Sequence, residues 1–561
     1  MSGMHLSKAE TRILEQYWKP GTCSVREILD SLPEDERVAY TTVQTLVYRP
    51  EHDGALRRVR KIGNARRFES LVRWTLVGCL ALLAPTMLMA QHGNVLGEDV
   101  RPFVRVGTPK VVLAHVQIID GTGGAASADR NVYLKDGKIT AISNGADELP
   151  SDGTTVLDLH GCSVMPGIVG MHNHLYYLAL PNLAADYSFD HPPLFVQMSY
   201  SAPRLYLANG ITTMRTTGSI EPETELRLKQ AIEQGLIPGP HLDVTGPYLD
   251  GPGASIPQIQ QLRGPTDARE TVAYWADRGV TSFKAYAHIT RAELRAVVEE
   301  AHKRGLKVAG HLCSVTYAEA AEIGIDSLEH GFLVNTENDP GKTADTCSDS
   351  GGDYTLEHMS PDSAEGKRLI ALLVSHHVAI TSTLPSTAAS AVGGGALPDG
   401  RPWLQPALEA MSPAARDFYL YWRNRPTTNR NASALRLRRD MELQRAFVAA
   451  GGLLLAGADP NGVNGLVPGF ADQREIELLV QAGFSSLEAI RIATLNGAIF
   501  LGLQDHIGSI AVGKNADLVV IKGDPAARIT DIENVEIVFK DGVGYDTKRL
   551  LAAAKGHYGE Y

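Results

Sequence analysis

Short apolar runs alternate with longer amphipathic stretches over residues 166–504, the largest part of the chain. The runs include VGMHNHL, GITTMRTTG and VTSFKAYA, and the stretches between them, such as RAELRAVVEEAHKRG, carry apolar residues at helical spacing. Counting VGMHNHL, the pattern contains eight strand-and-helix units. Eight such units over more than 300 residues predict an α/β fold of the (β/α)8 TIM-barrel class.

Both flanks of the predicted barrel have the character of β-structure. KVVLAHVQIIDG and NVYLKDGKITAIS precede it, GSIAVGKNADLVVIKG and IVFKDGVGYD follow it, and glycine turns divide these runs. We expect residues 108–165 and 505–550 to pair in one small β-sandwich, with the barrel occupying residues 166–504 between them. Residues 91–107 are then a linker.

Residues 1–70 have a different pattern, with three helical stretches followed by a short hairpin. The first stretch, LSKAETRILEQYW, begins with a capping-box pattern of Ser7 and Glu10, and SVREILDSL and AYTTVQTLVYR supply two more. RRVRKIGNARRFES reads as two basic strands around Gly63 and Asn64. Three helices and a two-stranded wing predict a winged helix-turn-helix domain.

This N-terminal segment resembles the penicillinase-repressor family in LSKAETRILEQYWKPG, SVREILDSL, AYTTVQTL and GNARRFES, in that order. The resemblance implies a DNA-recognition helix that carries Thr41, Thr42 and Gln44. Pro50 falls where that helix should be ending and would terminate or kink it, and the family's dimerisation helices are missing. DNA binding is therefore doubtful, and an accessory domain that no longer binds DNA is an equal alternative.

Residues 71–90 contain an apolar segment, since no charged residue occurs from 74 to 90. Eight Lys and Arg residues from Arg49 to Arg73 precede it, and Glu98 and Asp99 follow it. The positive-inside rule predicts a transmembrane or signal segment that keeps the N-terminus in the cytoplasm and exports the barrel. MLMA before Gln91 resembles a signal-peptidase site. A buried helix is the alternative, but the segment has no polar face.

Composition narrows the class of protein. The chain of 561 residues is 44% hydrophobic and 21% charged, which is ordinary for a globular protein, and its net charge of −11 argues against a nucleic-acid binder as a whole. Its five cysteines are odd in number and form no CxxC pair, so we expect no disulfide framework. Cys313, two residues after a histidine, is interpreted as a small buried residue.

Candidate chemistry lies at the carboxyl ends of the predicted strands, where barrel active sites are built. His172 and His174 alternate in the first strand and should project from one face, a suitable arrangement for a metal ion. Four more polar residues end later strands: Lys284, His311, His330 and Asp459. Buried hydrogen-bonded side chains explain any one of these residues, but not six at one edge of a barrel.

The set resembles the amidohydrolase superfamily, in the branch with two metals bridged by a carboxylated lysine. The match includes PGIVGMHNH, FK in strand 4, GH in strand 5, LEHG in strand 6, GAD in strand 8 and the closing ATLNGAIFLG…IGSIAVGKNADLVVI. It implies two divalent ions, zinc in type, and a Lys284 carbamylated by CO2. His172, His174 and Asp459 would complete one metal site, and His311 and His330 the other.

The same resemblance implies a mechanism in which a bridging hydroxide attacks a carbonyl and Asp459 passes its proton to the leaving amine. Tyr286 or Tyr248 would hydrogen-bond the oxyanion or the substrate, or pack only. Asp459, Tyr286 and His330 are therefore the candidate catalytic residues. The subfamily implied contains imidazolonepropionase-like hydrolases and Xaa-Pro dipeptidases.

The sequence thus predicts a binuclear amidohydrolase, expected to be a homo-oligomer, that cleaves an amide or peptide bond in a dipeptide or N-acyl amino acid. Two alternatives stay open. One is a membrane-linked transcriptional regulator in which the barrel senses a ligand. The other is a single-metal deaminase, against which Lys284 argues, since one metal needs no bridge.

Overall fold

The computed structural model describes residues 23–24, 56–62 and 65–70 near the N-terminus, and residues 96–179, 194–254, 256–391, 400–424 and 430–560. The chain divides into two compact units, Met1–His92 and Gly93–Tyr561. Each unit is described by itself.

The first unit contains a three-stranded antiparallel sheet of β1 (Cys23–Ser24), β2 (Leu56–Ile62) and β3 (Ala65–Ser70), in the order β1-β3-β2. Ile62 pairs with Ala65, so β2 and β3 form the hairpin predicted for the wing. The three predicted helices, with Thr41, Thr42, Gln44 and Pro50, lie outside the described residues. The winged helix-turn-helix as a whole therefore stays a prediction.

The apolar residues 74–90 also lie outside the described residues. Within the parts of the chain that are described, every helix is too short or too polar to cross a membrane.

The second unit begins and ends in a nine-stranded sheet that joins both flanks of the barrel. Its strands are β4 (Val104–Val106), β5 (Lys110–Ile118), β6 (Ser127–Lys135), β7 (Lys138–Asn144), β8 (Thr155–Asp158), β9 (Cys162–Pro166), β21 (Leu518–Lys522), β22 (Val535–Lys540) and β23 (Val543–Asp546). Their order is β4-β23-β22-β21-β9-β5-β6-β7, with β8 paired to β5. Strand β9 from the N-terminal flank pairs antiparallel with β21 from the C-terminal flank, Pro166 opposite Leu518. Side chains from both halves meet in one buried apolar cluster that includes Val111, Val164 and Phe539.

Between these flanks lie eight parallel strands in sequential order, the arrangement of a TIM barrel. They are β10 (Ile168–Asn173), β13 (Ile211–Thr216), β14 (His241–Asp250), β16 (Ser282–Ala285), β17 (Lys307–Gly310), β18 (Ser327–Glu329), β19 (Ala379–Ser382) and β20 (Leu454–Ala456). The first and last strands meet where Ala458 N and Asp459 N donate to His172 O, at 3.2 and 2.9 Å. The predicted α/β barrel is therefore confirmed in its eight-stranded order.

Fifteen described helices surround the barrel or cover its ends. They are α1 (Ser201–Ala208), α2 (Pro222–Glu233), α3 (Pro265–Ala276), α4 (Arg291–Lys303), α5 (Tyr317–Ile323), α6 (Asp353–His358), α7 (Ala364–Ser375), α8 (Leu384–Ala391), α9 (Leu404–Ala410), α10 (Pro413–Asn424), α11 (Arg430–Ala449), α12 (Phe470–Gln481), α13 (Ser486–Arg491), α14 (Gly497–Leu501) and α15 (Thr547–Ala554). Thr290 and Glu293 close a capping box at the start of α4, which satisfies backbone donors that the helix leaves free. Three short strands lie outside the eight-stranded barrel. Strands β11 (Tyr176–Ala179) and β12 (Leu194–Gln197) pair with each other, and β15 (Gln260–Gln261) pairs with β14.

A covalent bond fixes the loop that follows β18. Cys313, after β17, and Cys347 in that loop form a disulfide with their Cα atoms 4.8 Å apart. The sequence analysis expected no disulfide framework and did not predict this single bridge, because a count of cysteines cannot tell which two the fold brings together. Buried Asp339 organises the same loop, since its carboxylate accepts from Gly352 N at 2.8 Å and from Thr355 N at 2.9 Å.

Candidate metal centre

The six predicted ligands all lie at the carboxyl edge of the barrel. His172 is in β10, Lys284 is in β16, and His311 and His330 directly follow β17 and β18. His174 and Asp459 lie just beyond the ends of β10 and β20. Parallel strands carry their last residues to one edge, so positions spread over almost 290 residues of chain meet in one place.

Distances show how closely these side chains approach. His174 Nε2 lies 2.9 Å and His172 Nε2 lies 3.7 Å from Asp459 Oδ1. The His330 ring centroid lies 4.6 Å from that of His172 and 4.5 Å from that of His311. The ligand atoms of His172, His330 and Asp459 all fall within 4.8 Å of one another. Imidazole and carboxylate donors at this spacing suit zinc and similar divalent ions.

Two of these residues have an unusual backbone. His330 has φ +66° and Asp459 has φ +51°, both in the left-handed region that non-glycine residues rarely adopt. At His330 this conformation breaks the alternation of β18, and at Asp459 it turns the chain just beyond the end of β20. Backbone strain of this kind is characteristic of functional sites.

Burial determines the charges in the cluster. Burial lowers the pKa of His172 and His311 well below the usual range, and lowers that of His330 to about 3, so these imidazoles are neutral ligands. Burial acts in the opposite sense on Asp459. The hydrogen bond from His174 and the nearby histidines outweigh it, and the pKa of Asp459 lies well below its usual range. Asp459 is therefore ionised at neutral pH.

The amine of Lys284 is buried in the cluster without a hydrogen bond to any described residue. Its side chain is 1% exposed. Burial lowers the pKa of Lys284 to about 8, so about a tenth of the amine is neutral at pH 7 and able to react with CO2. A buried amine without a hydrogen-bond partner, beside neutral imidazoles and the carboxylates of Glu329 and Asp459, fits a lysine that reacts with CO2 and so becomes an anionic ligand for a metal.

Two charged residues of the site were not found from sequence. Glu329 Oε2 lies 2.7 Å from His172 Nδ1, and Arg215 Nη2 donates to Glu329 Oε1 at 2.8 Å. Burial raises the pKa of Glu329, but Arg215 and Lys284 outweigh it and the net pKa is lowered, so the carboxylate is ionised. The signal was present in SLEH and MRT, where charged residues interrupt predicted buried strands.

Aromatic side chains form one wall of the mouth. The Tyr286 ring lies 4.8 Å from the His311 ring, and the Tyr176 ring stacks on His174 at 4.5 Å. Tyr248 and Tyr176 share a hydrogen bond of 2.6 Å between their hydroxyls. Burial raises the pKa of Tyr286 above the usual range, which keeps its hydroxyl a neutral donor. Of the two predicted tyrosines, Tyr286 contacts a candidate ligand, whereas the Tyr248 hydroxyl is engaged by Tyr176.

A second group of possible ligands lies where the barrel meets the nine-stranded sheet. His241 begins β14, and its ring faces Asp517 and Asp541. Lys540 Nζ lies 3.0 Å from Asp541 Oδ2 and already supplies a positive charge to that pair. We interpret this group as an ion-pair cluster that joins the two parts of the unit.

Comparison with known proteins places the chain in a family. Residues 163–389 and 423–544 match the amidohydrolase family over more than half of the chain. The chain belongs to the amidohydrolase family. The barrel unit is therefore a hydrolase that acts on carbon–nitrogen bonds. The resemblance inferred from PGIVGMHNH and the related motifs is confirmed. Residues 6–77 match the penicillinase repressor family, which confirms the resemblance of the N-terminal segment.

Solved structures similar to this amidohydrolase support its fold. A Xaa-Pro dipeptidase with bound methionine is 20% identical with a TM-score of 0.57, and covers 78% of this chain and 100% of its own. A putative prolidase from Bifidobacterium longum is 24% identical with a TM-score of 0.56, covering 81% and 100%. Bottromycin amidohydrolase is 22% identical with a TM-score of 0.57, covering 80% and 91%.

One curated relative matches a short segment. A 5'-deoxyadenosine deaminase of Methanobrevibacter smithii is 41% identical over 58 residues, which is 10% of this chain. The chain spans 13% of the length of that relative.

Proposed function

We propose that the barrel unit is a binuclear metal-dependent amidohydrolase that cleaves an amide or peptide bond of a small substrate. One observation carries the proposal: among the described residues the buried Lys284 amine has no hydrogen-bond partner, and it lies in a cluster of four histidines and an ionised aspartate. A lysine ammonium would repel a cation, whereas a lysine carbamate would bind two. His172, His174 and Asp459 would hold one ion, and His311 and His330 the other.

When bound, the two ions would lower the pKa of a water molecule and polarise the scissile carbonyl. Asp459 is ionised and sits against His174, so it is placed to accept the proton of that water and to give it to the leaving amine. Its second carboxylate oxygen accepts from Ser386 Oγ at 3.3 Å, which holds the plane of the carboxylate. His330 has a similar restraint, since its Nδ1 lies 2.9 Å from Thr383 Oγ1.

Tyr286 supplies the donor for the developing negative charge on the substrate. Its hydroxyl stays protonated because burial raises its pKa, and its ring contacts His311 at the mouth of the barrel. A neutral phenol in a buried site stabilises an oxyanion without first giving up a strong bond to solvent.

The substrate we propose is a dipeptide or an N-acyl amino acid. Support comes from two proteins of similar structure, a Xaa-Pro dipeptidase and a putative prolidase. A library of dipeptides and acyl amino acids, assayed with metal-loaded protein for amine release, tests this choice.

The short match to a deaminase favours a second candidate, a single-metal deaminase. The number of ions separates the two candidates. Protein produced with added zinc and bicarbonate should bind about two zinc ions per chain, and Lys284→Ala should bind fewer. Lys514→Ala is the control, since Lys514 is a partly buried lysine whose Nζ donates to Ser509 Oγ and which belongs to neither group of possible metal ligands. One ion per chain, unchanged in Lys284→Ala, would reject the binuclear proposal.

We further propose that the barrel unit lies outside the cytoplasm, tethered or released through residues 74–90. The Cys313–Cys347 disulfide supports this placement, because disulfides persist in oxidising compartments and are rare in the cytosol. A phosphatase fused after residue 100 should be active in cells. An inactive fusion, together with reduced Cys313 and Cys347 in the native protein, would place the barrel in the cytoplasm.

A further inference from the structure

A chain of buried charged groups runs from the barrel interior to one candidate ligand. Arg215 Nη2 donates to Glu329 Oε1 at 2.8 Å, and Glu329 Oε2 lies 2.7 Å from His172 Nδ1. Arg215 and Glu329 are 1% and 0% exposed. Arg215 Nε also donates to Met171 O at 2.9 Å, so the same guanidinium holds the backbone directly before His172.

The chemistry of this contact determines the tautomer of His172. A carboxylate only accepts hydrogen bonds, so the proton of the neutral imidazole must be on Nδ1. The lone pair is then on Nε2, the nitrogen that faces Asp459 at 3.7 Å. Glu329 therefore aims the one available lone pair of His172 at the place where the metal ligands converge.

Two of the other candidate histidines have weaker partners at the nitrogen that faces away from the cluster. His330 Nδ1 meets the neutral hydroxyl of Thr383, and His174 Nδ1 has no hydrogen-bond partner among the described residues. An anionic acceptor behind a histidine makes its opposite nitrogen a stronger donor to a metal. The two proposed metal positions are therefore unequal, and the position that includes His172 receives the stronger ligand.

We infer that Glu329, held by Arg215, is a positioning residue that fixes His172 as an Nε2 ligand and makes the metal position of His172, His174 and Asp459 the tighter of the two. The inference rests on the proposed function, since it needs a bound metal. Glu329 and Arg215 take no part in the proposed catalytic steps, and their role would be to orient His172.

Glu329→Gln tests the inference directly. A glutamine offers one acceptor oxygen, but three donors face the carboxylate: Arg215 Nη2 and Ser327 Oγ at Oε1, and His172 Nδ1 at Oε2. The charged arginine takes the carbonyl, and the amide NH2 then faces His172 Nδ1, which must become an acceptor. The proton moves to Nε2, and His172 can no longer bind the metal. We expect one of the two zinc ions to bind about 10- to 100-fold more weakly, measured as bound zinc against free zinc set by a chelator buffer.

Glu477→Gln is the matched control. Glu477 is 2% exposed and accepts from Arg474 at 2.8 Å, but it contacts no candidate ligand. It should retain both zinc ions at wild-type affinity. Equal zinc affinity in wild type, Glu329→Gln and Glu477→Gln would overturn the inference. A wild-type protein that takes up no zinc would instead remove the proposed function, and this inference with it.

A rescue separates positioning from a general effect on folding. In Arg215→Met/Glu329→Gln the charged competing donor is absent and the hydroxyl of Ser327 can accept from the amide NH2, so the glutamine carbonyl is free to accept from His172 Nδ1. Zinc affinity should recover toward wild type in this double variant and stay low in Arg215→Met/Glu329→Leu, which has no acceptor. This pair also decides the matter if Glu329→Gln alone does not fold, because both members remove the charges of Arg215 and Glu329 together and leave neither of them buried without its partner. Equal zinc affinity in the two double variants would overturn the inference.

Discussion

Replacing both Cys313 and Cys347 by serine should destabilise the amidohydrolase unit by a calculable amount. The bridge closes a loop with a sequence separation of 34 residues. The chain-entropy relation for a loop of this length gives about 3.8 kcal/mol of stability from restriction of the unfolded chain. Other contacts of the loop remain in the variant, such as Thr336 Oγ1 to Cys313 O at 2.8 Å. We therefore expect a loss of between about 2 and 4 kcal/mol.

Urea unfolding of the full-length protein, followed by tryptophan fluorescence, measures this loss. The double variant should unfold at a lower urea concentration, and wild type treated with dithiothreitol should shift by the same amount. Cys162→Ser is the control, because Cys162 is a free cysteine in the nine-stranded sheet. Identical midpoints for wild type and double variant, or free thiols at both positions in peptide maps of the oxidised protein, would refute the reasoning.

Three further outcomes are expected. Asp459→Asn should retain the circular dichroism spectrum and much of the zinc of the wild type but lose at least about 10²-fold in kcat, because an amide cannot take up the proton. Activity within a few-fold of wild type would mean that another residue is the general base. Tyr286→Phe should lose on the order of 10-fold or more in kcat with its zinc unchanged, and an unaltered kcat would reduce Tyr286 to packing. Burial raises the pKa of Asp440 from 3.8 to about 7 and that of Glu475 from 4.5 to about 8. The stability that their neutral forms contribute is complete below about pH 4 and is lost as the pH rises toward 8. The urea midpoint of the wild type should therefore fall between pH 5 and 8.5, and Asp440→Asn should make this fall less steep. An equally steep fall in the variant would contradict these pKa values.

The barrel was predictable because its signals are local. Apolar runs and helical spacing are properties of short windows, and eight repeats of them leave few architectures to choose from. The positions of His172, Lys284 and Asp459 at strand ends followed from the same windows. One rule, that parallel strands end at the same edge, was enough to bring them together.

What was missed depends on contacts between distant segments. The partner of Cys313 is 34 residues away in an irregular loop, and nothing in a short window marks it. Glu329 was not predicted as a site residue, because strict strand alternation would place the side chains of Glu329 and His330 on opposite faces. The left-handed backbone of His330 breaks that alternation, and only the structure reveals such a conformation.

The pairing of β9 with β21 has a consequence for synthesis of the protein. Pro166 and Leu518 are partners, yet more than 350 residues separate them in the chain. At a translation rate of about 5–20 residues per second, the first half of the sheet waits tens of seconds for its second half to leave the ribosome. During that interval β9 presents an unpaired edge, and any chain shortened before residue 518 keeps that edge permanently. Truncated forms should therefore be the ones that aggregate or recruit chaperones, even where every residue of the metal centre is present.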